Sequence, residues 1–444
     1  MLGPWKEPGK GKRAMRVRVY ATVLVFLLTA AAVVRGEPLP GQIVVDPEDP
    51  RWLVRYDPGG KHKPFFMCGP GDPEDFLYRG KRRPDGTRDG DQADIIRCIK
   101  GTGANCIYLM AVRSHGGDGD ADHNPFISGD PAKGLNQKVL EQWETWFAEM
   151  DAAGTVIYFF IYDDSARIWK GDAVSDAERT FLEGLVRRFK HHKHLIWCVA
   201  EEYGEKLSRK RAGAIAAAVR AADNHQHVIA VHQNNGLAFH FADDPNIDQF
   251  AVQWNNSEGG TLHRDMVKAF KAAGGKFHLN LSENARHRDQ IKRGDRAALR
   301  QDNWACAMAG AHVMWLGAWA PNGKGAPPTD EMLRDAGRLV RFFEAADLTG
   351  MQPHDELAHA ATRYVLARPG RRYIAYSHEG NGGEKMGMRE MAAGRYRFNW
   401  LDTVTGKTAT EIRNVAAGDA AWPVPAGFGQ EVAVHVVIQS DKRE

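Results

Sequence analysis

Short runs of apolar residues recur along the chain, and between them apolar residues return every three or four positions. The first pattern is typical of parallel strands that are buried on both faces, and the second is typical of amphipathic helices. Strands are predicted at residues 64–68, 106–111, 156–162, 195–200, 227–231, 250–253, 277–281 and 312–316. Helices are predicted at 91–100, 137–153, 175–191, 208–222, 262–273, 296–309 and 330–346. This alternation predicts an α/β fold, a (β/α)8 TIM barrel.

One helix has clear end signals, and one connection departs from the repeat. Asn136 is a good N-cap for helix 137–153, and Gly154 ends the apolar periodicity. The stretch 233–249 between the fifth and sixth strands is short and contains the turn residues Asp243 to Pro245. We expect a loop there with little or no helix.

The chain has 444 residues, whereas a barrel needs about 250, so a second domain is expected. After the last predicted helix the pattern changes to short alternating strands separated by glycine-rich turns. These strands are predicted at 362–367, 373–377, 396–401 and 432–438. We therefore predict a barrel over 37–348 and a small antiparallel β-sandwich over 349–444.

The N-terminus has the pattern of an export signal. Basic residues precede an apolar run at 21–34, and small residues follow near a cleavage point. This run is too short for the roughly 20 residues that span a bilayer. Residues 1–36 are therefore predicted to be a signal peptide, and the mature protein to be secreted or periplasmic, with no stable membrane anchor after cleavage.

Composition argues against several other classes of protein. The formal charge is +3 on a chain with 59 basic and 56 acidic residues, which gives no argument for a nucleic-acid partner. The five cysteines are odd in number and lie mostly in apolar patterns, which favours buried thiols over a disulfide framework. No cysteine or histidine spacing indicates a metal site, so neither a metal nor a cofactor is expected. Nothing in the pattern indicates an oligomeric state.

Two glutamates follow predicted strands at the end where a barrel builds its active site. Glu202 comes after strand 195–200 and Glu283 after strand 277–281. Cleavage of a glycosidic bond needs one carboxyl that holds a proton and one that stays ionised. Alternation along its strand points Glu202 into the barrel and favours it over Glu201 as the acid/base. The same alternation points Glu283 outward, unless a bulge at the strand end re-aims it.

These residues resemble a known group. Trp197, Glu201, Glu202 and Tyr203 are similar to the Trp-x-x-x-Asn-Glu signature of the clan A retaining glycoside hydrolases. The resemblance implies that Glu202 is the acid/base and Glu283 the nucleophile. This chain departs from it at Glu201, where most of the clan has the asparagine that contacts the sugar 2-hydroxyl.

A second resemblance covers both predicted domains. Asn124-Pro-Phe126, the paired glutamates and the segment Asn399 to Gly406 resemble bacterial secreted proteins of the apiosidase-like type. Those proteins carry a C-terminal β-domain labelled as collagen-binding. The resemblance implies that this domain packs on the barrel, and nothing in the sequence indicates collagen.

Other polar and aromatic residues follow predicted strands and are expected to line a sugar subsite at the same mouth. They are Asp72, Arg113, His115, Asp163, Glu201, His232, Gln233, Trp254 and Trp319. The spacing of Asp118, Asp120 and Asp122 resembles a calcium loop, but the glycine and the final glutamate of that motif are absent, so a solvated loop is expected.

The sequence therefore predicts a retaining glycosidase acting on a polysaccharide or oligosaccharide. One alternative is a carbohydrate-binding barrel without catalysis, which Glu201 and the outward alternation of Glu283 favour. A polysaccharide lyase is a third possibility, and it would need a tyrosine or histidine base and a basic cluster at the mouth.

Overall fold

The computed structural model describes residues 1, 3, 36–71, 75–113, 122–164, 168–255, 260–320, 324–378 and 385–439. The chain from Arg35 to Glu444 forms one compact unit. Nearly all of the predicted signal peptide lies outside the described residues. None of the helices described is long and apolar enough to cross a membrane.

A small antiparallel sheet, which the sequence pattern did not predict, precedes the barrel. Its strands are β1 (Ile43–Val45), β2 (Leu53–Arg55) and β3 (Lys63–Phe65). Ile43, Leu53 and Phe65 are fully buried and cluster with side chains of the barrel interior, such as Ile196. This sheet therefore closes one end of the barrel with apolar side chains.

Eight parallel strands form the nearly closed barrel. They are β4 (Cys68–Pro70), β5 (Cys106–Val112), β6 (Val156–Tyr162), β7 (Leu195–Ala200), β8 (Ile229–His232), β9 (Gln249–Gln253), β10 (His278–Glu283) and β11 (Ala311–Trp315). Asn105 links the two end strands, because its N–H donates to the Cys68 carbonyl at 3.1 Å and its Oδ1 accepts from the Cys68 N–H at 2.9 Å. The prediction of a first barrel strand at 64–68 is wrong, because these residues include the end of β3, the start of β4 and the break between them.

The helices surround this sheet. They are α1 (Gln92–Ile99), α2 (Gln137–Ala153), α3 (Asp176–Phe189), α4 (Arg209–Ala222), α5 (Leu262–Ala272), α6 (Ala285–Arg293), α7 (Arg296–Met308) and α8 (Asp330–Glu344). Asn136 caps α2 through its side chain, and Gly154 adopts the left-handed conformation after it, as predicted. The stretch between β8 and β9 contains no helix, as predicted. The short helix α6 after β10 was not predicted.

Side chains alternate between the barrel interior and the helical layer. In β7, Ile196 and Cys198 belong to the interior cluster, whereas Trp197 and Val199 pack toward the helices. Both faces are buried because helices cover the outside of the sheet.

All five cysteines are free thiols; four are buried and Cys98 is exposed, so the prediction of buried thiols holds except at Cys98.

The C-terminal domain consists of two antiparallel sheets. Six strands form the larger sheet: β12 (Gln352–Pro353), β14 (Tyr364–Arg368), β15 (Arg372–Ser377), β17 (Gly394–Asp402), β18 (Thr408–Val415) and β20 (Val432–Ile438). Three form the smaller sheet: β13 (Ala358–Ala360), β16 (Lys385–Met391) and β19 (Gly418–Pro423). The apolar cluster that they enclose includes Phe398, Trp400 and Trp422. This arrangement is the predicted β-sandwich.

The larger sheet packs on the barrel through its other face. Tyr364, Leu366 and Tyr376 alternate with the sandwich core residues and join the barrel cluster. The Tyr376 ring stacks on Trp304 of α7 with centroids 4.9 Å apart. Tyrosine and leucine side chains on this face therefore hold the two domains together, beside a buried ion pair between Arg300 of α7 and Glu431 of the β-domain.

Candidate active site

Glu202 stands two residues beyond the end of β7, where the backbone turns sharply. Its φ of 34° and ψ of 50° lie in the left-handed region, which non-glycine residues rarely adopt. Its N–H donates to Nδ1 of His232 at 3.1 Å, and this hydrogen bond supports the turn. Strained backbone of this kind is commonly found at functional sites, where the surrounding structure maintains it.

Glu283 ends β10 at an irregularity in the sheet. Leu281 pairs with Val252 and Glu283 with Gln253, so one extra residue, Ser282, stands between two successive pairs. The Ser282 hydroxyl donates to the Val252 carbonyl at 3.1 Å. The bulge turns Glu283 to the mouth of the barrel despite the alternation of its strand.

Gln253 at the end of β9 connects the two glutamates. Its Nε2 donates to Oε1 of Glu283 at 2.9 Å and also to Oε1 of Glu202. Because both carboxyls accept from one nitrogen, their nearest oxygens lie within about 6 Å, twice the length of a hydrogen bond. The structure therefore brings together the two residues that the sequence singled out.

The surroundings of the two carboxyls differ. Burial, the negative charge of Glu283 and a hydrogen bond with Glu205 raise the pKa of Glu202 from 4.5 to about 8. Burial also raises the pKa of Glu283, but hydrogen bonds from Gln253 and Asn255 and the charge of Arg288 oppose that rise. Two close carboxyls share protons, and donors favour the charge on the group they contact. We therefore place the proton on Glu202 and the negative charge on Glu283.

His232 lies beneath this pair at the end of β8. Burial lowers its pKa to about 3, so the ring is neutral at neutral pH. Since Nδ1 accepts the Glu202 N–H, the proton is on Nε2, which stands 4.0 Å from Oε2 of Glu283. Among the described residues this Nε2 has no hydrogen-bond partner. His232 thus positions the Glu202 backbone and directs a donor toward Glu283.

Glu201 is a third carboxyl at the mouth. It is 8 % exposed and accepts a hydrogen bond from the Tyr108 hydroxyl, which rises from the interior of β5. The electrostatic environment of Tyr108 includes both Glu201 and Glu283. Glu201 therefore belongs to the same group of side chains, as expected from its place beside Glu202.

Some of the predicted subsite residues also lie at this end of the barrel. Arg113 and Asp163 follow β5 and β6 and are buried. Trp254 follows β9, and its indole N–H donates to Asp265 of α5 at 3.2 Å. Trp319 follows β11 in the left-handed conformation and is partly exposed. Of the remaining residues, Asp72 and His115 lie outside the described part of the chain, as do Asp118 and Asp120.

Gln233 differs from the expectation. Its side chain is fully buried, its Nε2 donates to the Ala238 carbonyl at 2.7 Å and its Oε1 accepts from the His240 N–H at 2.8 Å. Both ends of the amide hold the loop between β8 and β9. Gln233 therefore supports this loop, and both ends of its amide already have partners.

Sequence reasoning missed five groups that the structure places around the glutamates. They are Gln253, Tyr108, Arg288, Asn255 and Glu205. Gln253 lies two residues after Ala251, and Tyr108 lies two residues after Cys106; both of these earlier residues point into the barrel interior. The alternation that selected Glu202 would therefore have selected Gln253 and Tyr108 as well. Arg288 belongs to α6, which carried no pattern strong enough to predict.

Comparison with known proteins supports the fold. No family model matches the chain, and no curated protein matches it. Among solved structures, a glycoside hydrolase family 5 protein from Bacteroides vulgatus is similar with a TM-score of 0.65 and 14 % identity, over 90 % of this chain and 94 % of that chain. A second structure, described as a glycoside hydrolase, has a TM-score of 0.62 and 14 % identity, over 91 % of this chain and 99 % of the other.

These likenesses show the architecture. Identities this low establish a shared fold, which hosts many activities, and do not by themselves establish chemistry. The protein is therefore a TIM barrel followed by a β-domain, and its fold is similar to those two structures over about nine-tenths of the chain.

Proposed function

We propose that the protein is a secreted glycoside hydrolase that cleaves a polysaccharide or oligosaccharide with retention of anomeric configuration. The observation that carries this proposal is the sharing of the Gln253 amide by Glu202 and Glu283, two carboxyls with different surroundings. Fold similarity to glycoside hydrolases supports it at the level of architecture.

In the first step, Glu202 donates its proton to the leaving oxygen while Glu283 attacks the anomeric carbon. The glycosidic bond breaks and a glycosyl ester forms on Glu283. The raised pKa of Glu202, about 8, keeps this carboxyl protonated at neutral pH. The donors Gln253, Asn255 and Arg288 favour the ionised form of Glu283 that a nucleophile requires.

In the second step, the ionised Glu202 removes a proton from water, and the water oxygen attacks the anomeric carbon. The ester bond breaks, the sugar is released and Glu202 is protonated again. Each cycle therefore returns both carboxyls to their starting states, and no cofactor is required.

The spacing supports retention over inversion. Retaining enzymes hold the two carboxyls about 5 to 5.5 Å apart, whereas inverting enzymes need about 6.5 to 9.5 Å to admit a water. A shared hydrogen-bond donor limits the separation of the nearest oxygens to about 6 Å.

The two alternatives from the sequence find less support. The outward alternation of Glu283, which favoured a non-catalytic barrel, is offset by the bulge at Ser282. A lyase would need a tyrosine or histidine base and a basic cluster to neutralise an acidic sugar. Tyr108 and His232 are present, but beside Arg113 and Arg288 the described mouth carries three carboxyls, those of Glu201, Glu202 and Glu283. Secretion, which rests on the basic and apolar pattern of residues 1–36, and the apiosidase-like type, which rests on sequence resemblance, are further parts of this proposal.

The test combines substrate screening with variants. Purified protein is assayed on polysaccharides and a panel of aryl glycosides that includes apiosides, and the anomer first formed is identified by NMR. Glu202→Ala is expected to lose about 100-fold or more on substrates with poor leaving groups, to lose less on activated aryl glycosides, and to regain turnover with azide. Glu283→Ala is expected to abolish turnover, because the covalent intermediate cannot form.

Glu141→Gln is the matched control, since Glu141 is an exposed acidic residue of α2 whose partner is Lys138. Its activity should equal that of the wild type. Azide rescue of Glu201→Ala in place of Glu202→Ala would reverse the roles of these two glutamates. Binding of oligosaccharide by the wild type and all variants, with turnover by none, would identify a binding protein and refute the proposal.

A further inference from the structure

A cluster of potential metal ligands lies between α2 and the segment that joins α3 to the start of β7, whereas Glu202 lies beyond the other end of that strand. Nε2 of His191 is 2.9 Å from Oε1 of Glu144, and Nε2 of His192 is 3.1 Å from the same oxygen. All three atoms lie within 4.8 Å of one another. Sequence spacing does not reveal the cluster, because the fold brings Glu144 to the histidines across 47 positions.

The separations suit a small divalent ion. Bonds from Zn²⁺ to imidazole nitrogen and carboxylate oxygen are about 2.0 to 2.2 Å long, so neighbouring ligands of a tetrahedral ion are about 3.4 Å apart. The two nitrogen–oxygen distances at Glu144 are a few tenths of an ångström shorter. An ion would therefore need only a small outward movement of these side chains.

A buried nitrogen points into the same space. His192 is 3 % exposed, and among the described residues its Nε2 has no hydrogen bond of acceptable geometry. Its Nδ1 faces Oδ2 of Asp151 at 3.9 Å. At this distance the Asp151 carboxylate places a negative charge behind the imidazole without a hydrogen bond to it.

The open side of the cluster offers room for further ligands. A cavity of about 560 Å³ adjoins Glu144 and His191, large enough for water at the remaining coordination positions. The histidines follow the C-terminus of α3, where the helix dipole favours a cation. Arg188 opposes the cation, with its Nε 3.3 Å from Oε2 of Glu144, but it leaves Oε1 available.

We propose that Glu144, His191 and His192 bind a divalent transition metal of the Zn²⁺ type. Mixed imidazole and carboxylate ligands suit Zn²⁺ and its neighbours better than Ca²⁺ or Mg²⁺. The ion links the middle of α2 to the segment that leads into β7, the strand that precedes Glu202. Its role is stabilisation of this connection, since the catalytic carboxyls have their own partners.

The test is titration of the tag-free, metal-free full chain with ZnCl₂ by calorimetry, together with the visible spectrum after addition of Co²⁺. We expect one site with micromolar affinity and a rise in melting temperature with zinc. His191→Ala, at an exposed position that the fold tolerates, should weaken binding by about 100-fold and remove the zinc-dependent rise in melting temperature. Arg188→Met should bind zinc more tightly, because a cation beside Glu144 is removed.

Two controls isolate the site. Glu141→Gln removes a neighbouring exposed carboxylate of α2, and His359→Ala removes a histidine of the β-domain; both should bind zinc as the wild type does. Equal zinc affinity in the wild type and His191→Ala would overturn the proposal, as would the absence of wild-type binding at about 100 μM zinc.

Discussion

Replacement of Glu202 by glutamine is expected to stabilise the protein at alkaline pH and to leave its stability unchanged at acidic pH. The folded protein raises the pKa of this carboxyl from 4.5 to about 8, chiefly through burial and the charge of Glu283. The folded state therefore binds a proton more tightly than the unfolded state. Below about pH 4.5 Glu202 is protonated in both states and does not change the free energy of unfolding. As the pH rises, its ionisation lowers the free energy of unfolding progressively, and the full loss is reached above about pH 8.

The magnitude follows from the interval between the two pKa values. A rise from 4.5 to about 8 corresponds to about 5 kcal/mol at complete ionisation, because one unit is worth about 1.4 kcal/mol. Water reaches this half-buried carboxyl, and Glu283 shares its proton, which reduces the difference between pH 5 and pH 8 to about 2 to 3 kcal/mol. Glutamine keeps the shape and the acceptor for Gln253 but carries no charge, so it avoids this cost.

Thermal melting followed by circular dichroism at about pH 5 and pH 8 measures the effect. The melting temperature of Glu202→Gln should equal that of the wild type at the lower pH and exceed it by about 3 °C or more at the higher pH. Glu141→Gln, the exposed control, should match the wild type at both. A Glu202→Gln protein that melts below the wild type at pH 8 would refute the reasoning, because it would mean that the fold favours the ionised carboxyl.

Two further predictions concern the pH profile and the domain interface. Activity that depends on protonated Glu202 should be lost as the pH rises through about 8. Glu205→Gln removes a neighbouring carboxylate that raises the pKa of Glu202, so it should move this alkaline limit of kcat/KM down by about one pH unit. An unchanged limit would contradict the influence assigned to Glu205. Arg300 makes a buried bidentate ion pair with Glu431 of the β-domain, with nitrogen–oxygen distances of 2.6 and 2.7 Å. Arg300→Met should therefore lower the free energy of unfolding in urea by about 3 to 5 kcal/mol. Arg97→Met, at an exposed position, is the control and should lower it by less than about 0.5 kcal/mol. Equal melting of the two arginine variants would mean that the interface does not depend on this pair.

The alternation of strands and helices could be predicted because the barrel strands are buried on both faces, so most of them, such as β5 to β7, are largely apolar runs. Alternation along β7 is confirmed for Ile196 and Cys198, which point inward, whereas Glu202 lies beyond the strand in a left-handed turn. Several elements escaped prediction, among them α6, the strands β16, β18 and β19 of the β-domain, and short strands before the barrel. β1 and β2 are too short to show a period, and the run at 64–68 merged the end of one strand with the start of another.

The parts of the site that sequence could not provide depend on contacts between strands. The bulge at Ser282 is a property of the register between β9 and β10, which alternation within one strand does not reveal. Gln233 shows the opposite case. It follows a barrel strand as a subsite residue would, yet the loop that returns over it uses both ends of its amide.

The two glutamates reach a common position through two different departures from regular strand geometry. β7 ends before Glu202, and the left-handed turn at that residue directs its side chain back across the mouth, while β10 gains a residue that rotates Glu283 onto the same side. Each departure is stabilised by a hydrogen bond to a neighbouring strand: the Glu202 N–H donates to His232 of β8, and the Ser282 hydroxyl donates to the Val252 carbonyl of β9. Gln253 then joins the two carboxyls, so strands β7 to β10 act as one rigid support. The strain at Glu202 is therefore offset by the same network that brings its carboxyl beside Glu283.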